Sequence, residues 1–103
     1  MSIAVTTDFL AGASIRTRAW VLDDAEAYVT PSTVGIQITN PTGATVVSGT
    51  TLMSASTAGS TVTFEHYYNS STPLGWYNTT ITVTDGTGAT AKVTKGQVSF
   101  KVK

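Results

Sequence analysis

The chain has 103 residues, of which 12% are charged, and six Lys and Arg balance six Asp and Glu. A neutral chain lacks the basic field of a general nucleic-acid binder, and low charge beside 41% hydrophobic residues is not the profile of a disordered tail. The sequence has no Cys, which excludes thiol catalysis, disulfides and thiolate metal sites.

The first basic residue is Arg16, and Thr6, Thr7 and Asp8 interrupt the only apolar run before it. With Met1 as the natural start, the sequence therefore predicts no secretory signal, no membrane span and synthesis in the cytoplasm. Apolar residues do not recur at helical spacing anywhere. They alternate with period two, and β-branched residues crowd every segment, led by threonine. The first expected strand covers residues 3–7. The second covers 14–22, with Ile15, Thr17, Ala19 and Val21 inward and Arg16, Arg18 and Trp20 outward, because two arginines do not belong in a core. Residues 23–32 break the pattern as a loop. Residues 33–39 resume it, with Val34, Ile36 and Ile38 inward and Gln37 outward.

Asn40 to Gly43 reads as a turn: Pro41 presets φ, Asn40 can bond to backbone beyond it, and Gly43 closes it. Short strands follow at 44–48 and 52–56, separated by a Ser-Gly-Thr-Thr turn. After a small polar loop, residues 61–68 put Val62, Phe64, His66 and Tyr68 on one face. A loop at 69–73 precedes the cleanest strand, 75–84, with Tyr77, Thr79, Ile81 and Val83 together. Asp85 to Gly88 reads as a hairpin turn. The chain closes with strands at 89–94 and 97–102, broken at Lys95-Gly96, with Val98, Phe100 and Val102 inward.

Seven to nine short strands, with a turn every 8 to 12 residues or so, predict an all-β fold. Uneven strands and variable loops favour an immunoglobulin-like antiparallel β-sandwich over a closed barrel, as one domain spanning residues 1–103. Within this frame Pro31, Ser32, Val34, Ile38, Asn40, Pro41, Gly43 and Val46 form a recognisable run. An aromatic strand from Phe64 to Tyr68 follows, then Pro73, Gly75, Trp76 and Tyr77, then the Asp85-Gly86 pair. Across residues 15–102 the chain resembles Ig-like domains of bacterial surface proteins and tailed-phage structural proteins. It departs by carrying Thr30 where an acidic residue often precedes the proline, which touches only loop conformation. The resemblance implies a part that builds or decorates something larger. A single domain with no signal leans toward the virion rather than toward a bead in an exported surface protein.

The residues themselves show no enzyme. His66 is the sole histidine, no Ser lies in a G-x-S-x-G elbow, and on its strand face His66 reads as a packed or edge residue. No metal or other cofactor is expected. Asp23, Asp24 and Glu26 cluster in one loop, with Asp8 and Asp85 expected near one end. They read as a solvated acidic loop, with a calcium shell or contact to a basic partner as alternatives. Tyr77, after a glycine at the start of a late strand, resembles a tyrosine corner. The lysines of the last strands read as edge protection.

Trp20 and Trp76 carry the functional expectation. If they face outward rather than lying under a loop, they and the arginines Arg16 and Arg18 suit an interface with a protein partner, or stacking on carbohydrate. The outer faces are otherwise rich in Thr, Ser, Gln and Asn, and suit close packing in an assembly or self-association. The expected function is thus a virion accessory or decoration protein that docks on a larger assembly, without nucleic acid or membrane. A carbohydrate-binding or cell-surface adhesion module is the alternative, and would sit on an extracellular surface.

Overall fold

Two antiparallel sheets packed face to face account for the alternation. The computed structural model describes residues 2–9, 14–29, 31, 33–69, 74–86 and 92–102. Among them the elements in order are β1 (Ser2–Phe9), β2 (Ser14–Leu22), β3 (Thr33–Thr39), β4 (Thr45–Leu52), β5 (Ser54–Ala58), β6 (Thr61–Asn69), β7 (Gly75–Asp85) and β8 (Lys92–Val102). Strand order is β1-β2-β6-β5 in the first sheet and β4-β3-β7-β8 in the second. The molecule measures 38 × 32 × 18 Å. No described residue is helical, and so no described helix is long and apolar enough to cross a membrane.

The inward sets expected for β2, β3 and β7 form the core. Ile15, Thr17, Ala19 and Val21 of β2, Ile36 and Ile38 of β3, and Tyr77, Thr79, Ile81 and Val83 of β7 are all almost wholly buried. Each such Ile or Val contributes about 1.5–3 kcal/mol relative to exposure. At one end of the core four aromatic rings run in series. Phe9 meets Phe100 edge-on at 6.2 Å, Phe100 stacks on Tyr77 at 5.1 Å, and Tyr77 tilts against Tyr68 at 6.3 Å. Tyr77 is therefore a central core aromatic. In the first sheet the next row inward is polar, with Thr7, Thr17 and His66 as cross-strand neighbours, while in the second sheet Thr79 sits between Ile38 and Val98.

Three local expectations are corrected. The Ser-Gly-Thr-Thr segment is not a turn but the bulged middle of β4. Ile36 pairs with Thr51 and Ile38 with Val47, so four residues of β4 span two of β3. The chain then changes sheets across Met53 alone. Lys95-Gly96 is not a break either, because β8 pairs with β7 without interruption from Lys92 to Val102. Gly96 lets β1 cross closely over β8: a Cβ at Gly96 would lie 3.3 Å from Ile3 Cβ. The polar loop after β5 shrinks to a two-residue turn, with Ala58 opposite Thr61.

The turn at 40–43 forms as expected. Asn40 Oδ1 accepts from the Thr42 and Ala44 backbone N–H groups and from the Thr42 hydroxyl. Gly75 abuts this turn in a backbone region that glycine favours, with φ 125°. A Cβ there would lie 3.1 Å from Pro41 Cγ. The expected features at 30, 32, 70–73, 87–91 and 103, including Pro73 and the second half of the Asp85–Gly88 turn, lie outside the described residues. β1 and β8 run in the same direction along one side of the sandwich, so Ser2, opposite Leu22, and Val102, opposite Gly75, lie at opposite ends.

Candidate functional site

The four residues singled out for contacts occupy two separate surfaces. Arg16, Arg18 and Trp20 share the outer face of the first sheet, where cross-strand pairing aligns them with β1 and β6. Trp76 lies on the outer face of the second sheet. The sandwich thickness lies between the two tryptophans, so they cannot contribute to one site.

On the first face, Asp8 lies opposite Arg16 and reaches both arginines. Arg16 Nη2 and Arg18 Nη2 each donate to Asp8 Oδ2 at 2.9 Å, and Arg16 Nε donates to the same oxygen at 3.3 Å. The Arg16 hydrogen bond, opposed by desolvation and aided by Arg18, holds the Asp8 carboxyl below its usual range. The same hydrogen bond, opposed by desolvation and assisted by the Tyr67 hydroxyl, raises Arg16 above its ordinary value. The Arg18 guanidinium lies 5.6 Å from the Trp20 ring centroid, a cation–π distance. Trp20 Nε1 donates to Thr63 Oγ1 at 3.1 Å, and the Tyr67 hydroxyl donates to Glu65 Oε2 at 3.1 Å. Trp20 is half-buried, its ring and N–H both engaged. The two arginines, Asp8 and Glu65 sum to zero charge, so this face is not a cationic patch, and within it Arg18 Nε is buried without a hydrogen-bond partner.

Asp8 was missed as a member of this group. Antiparallel pairing of the first two strands sets residue 8 opposite residue 16, and that register is the signal that finds it. The expected gathering of Asp8 with the 23–26 loop does not occur, since β1 carries Asp8 to the far end from Leu22.

The second face is different in kind. Trp76 is 58% exposed, with Lys101 Nζ 5.9 Å from its ring centroid. Beyond it run Asn78, Thr80, Thr82 and Thr84 of β7, flanked by Gln37 of β3 and by Gln97 and Ser99 of β8. Ser99 Oγ donates to Asn78 Oδ1 at 2.8 Å. Leu52 and Val93 add exposed apolar side chains to this sheet. The only charged groups facing outward from the described part of β8 are Lys residues, and they line an edge strand.

The acidic loop is folded on itself. Asp23 Oδ1 accepts from the backbone N–H groups of Ala25 and Ala27 at 2.9 and 3.0 Å, and Glu26 adopts φ 61°. Asp23 is thus occupied in shaping the turn. Among the described residues no group of three or more His, Asp or Glu side chains converges as a metal site would need. His66 is half-buried, and desolvation lowers its pKa from the ordinary value. Its Nδ1 is buried without a hydrogen-bond partner, as are the hydroxyls of Thr17 and Thr79.

A scan of protein-family models, a search of curated proteins and a search of solved structures each find no match to this chain, so the functional reading rests on its own residues.

Proposed function

We propose that this chain is a non-catalytic structural and interaction domain, an accessory or decoration protein that docks on a larger assembly such as a phage particle. Its sandwich is read as immunoglobulin-like. In that type the first, second, fourth and fifth strands of the basic set share one sheet and the third, sixth and seventh the other, with an extra strand able to join beside the third. The observed order fits this scheme with β4 as the added strand.

The outer face of the second sheet carries the docking reading. An exposed Trp at one end of this face and exposed Leu52 and Val93 toward the other, with uncharged Thr, Asn and Gln between them, supply the aromatic anchor and polar surround of a protein interface. A partner surface desolvates hydroxyl and amide groups at far lower cost than charges. The test is mass spectrometry of gradient-purified particles from cells that encode the chain. Co-migration with virions at fixed stoichiometry is the expected result, with Trp76→Ala weakening it. A chain absent from particles and left in the soluble fraction refutes the proposal.

One observation favours the alternative of a carbohydrate-binding or adhesion module: the exposed Trp76 ring could stack on a sugar. That reading predicts a tryptophan fluorescence change on titration with polysaccharides, lost in Trp76→Ala.

A further inference from the structure

The sandwich has four strand edges, and three of them are protected. β8 carries Lys92, Lys95 and Lys101 along its length, β4 is bulged against β3, and β1 carries Asp8 and lies against β8 of the opposite sheet. Charges, bulges and covering strands are the usual means by which sheets prevent further pairing. β5 has none of them. Its sequence, Ser-Ala-Ser-Thr-Ala, has no charge and no proline, and all five residues are exposed. That includes Ala55 and Thr57, which face inward opposite Phe64 and Val62. A strand that buries no side chain is held only by its ladder to β6, and its other backbone edge stands open.

We propose that β5 is a self-pairing edge, on which a second copy of this chain adds its own β5 antiparallel about a two-fold axis at Ser56. Such pairing sets Ser54 against the second copy's Ala58, Ala55 against its Thr57, and Ser56 against its own counterpart. Every pair matches outer face to outer face or inner to inner, and every side chain is small, so the edge is complementary to itself in shape and charge. The four-stranded sheet of each copy becomes half of a continuous eight-stranded sheet. The zero net charge of the chain removes long-range repulsion between copies. Five small residues bury far less than the roughly 1,200 Å² at the lower end of stable complexes. The pair is therefore weak in dilute solution and forms where copies are held close together. Its use in the cell rests on the assembly reading above, but the contact itself does not.

The chain has no native thiol, so Ser56→Cys installs a single one at the two-fold axis. Directly opposed residues in an antiparallel pair have Cα atoms about 4.5–5.5 Å apart, within the range that a disulfide spans. Under mild oxidation at high protein concentration, S56C is expected to form a disulfide dimer at least about tenfold faster than Ser99→Cys on the exposed face of β8. Light scattering of the unmodified chain should show a mass rising with concentration, and Ser56→Lys should abolish the rise. Equal cross-linking rates for the two cysteine variants, or a mass independent of concentration, overturn the proposal. So does capture of a foreign extended peptide on β5 without cross-linking between copies. Particle binding by the unmodified chain distinguishes the two readings: binding with failed S56C cross-linking removes the self-pairing alone, whereas absence from particles with efficient S56C cross-linking removes the accessory role alone.

Discussion

Replacing Gly75 by Ala tests how the 40–43 turn is locked to the start of β7, because two other glycines, Gly43 and Gly96, serve as internal controls. At Gly43, φ is 89° and a Cβ would meet nothing within 4 Å, so Gly43→Ala carries only a backbone cost. That cost is about 1–3 kcal/mol for a non-glycine residue in such a region. It is offset by about 0.4–1 kcal/mol because alanine reduces the freedom of the unfolded chain. The expected net loss is roughly 1 kcal/mol. At Gly75, φ is 125° and the new Cβ lies 3.1 and 3.2 Å from two atoms of the rigid Pro41 ring. Overpacking of this kind adds about 1–3 kcal/mol, giving a net loss of about 2–4 kcal/mol. At Gly96 the backbone is ordinary, and the contact at 3.3 Å is with Ile3 of an edge strand that can shift. Gly96→Ala should therefore cost at most about 1 kcal/mol. Since 1 kcal/mol moves the midpoint of a domain this size by about 5 °C, G75A should melt roughly 10–20 °C below the unmodified chain. The assay is thermal and urea unfolding followed by circular dichroism. A G75A midpoint no lower than that of G43A would refute the argument that Pro41 fixes this junction.

Three further outcomes are expected. His66 has a lowered pKa in the fold, so the unfolded chain binds its proton first as pH falls. Stability should drop on acidification below about 6.5 toward the folded value, and His66→Gln should flatten that part of a melting-point-against-pH curve. An unchanged slope in the variant rejects the burial account. Asp8 is also lowered, so its contribution is complete above the ordinary carboxylate range and is lost as pH falls through the folded value; Asp8→Asn should remove this loss. Because D8N leaves Arg16 and Arg18 side by side without their shared carboxylate, added salt should raise its melting point relative to the unmodified chain, and no salt difference rejects the network. Thr79→Val removes a buried hydroxyl without a partner, and should raise stability by about 1 kcal/mol in the same unfolding assay. A lower midpoint rejects that reading.

The alternation in β2, β3 and β7 was legible because each of these strands has one buried face, and a period of two then separates inside from outside residue by residue. Alternation says nothing about which sheet a strand joins. For that reason Trp20 and Trp76 could both be read as outward without revealing that they face opposite ways. The turn assigned to Ser-Gly-Thr-Thr followed composition, but a bulged edge strand has the same small polar residues. Gly96 resembled a break because its reason for being glycine, the passage of Ile3 overhead, comes from a strand more than ninety positions earlier. The lone Asp8 carried no local signal, and only hairpin register joins it to Arg16 and Arg18.

The directions of β1 and β8 have a mechanical consequence. A pull applied between Ser2 and Val102 runs along the strands, because these residues lie at opposite ends and the two strands point the same way. Ladder hydrogen bonds lie perpendicular to antiparallel strands. The β1–β2 and β7–β8 ladders would therefore be loaded in shear, with all their bonds sharing the force at once, rather than peeled open one rung at a time. Tension along the strands is therefore a stress that whole ladders share.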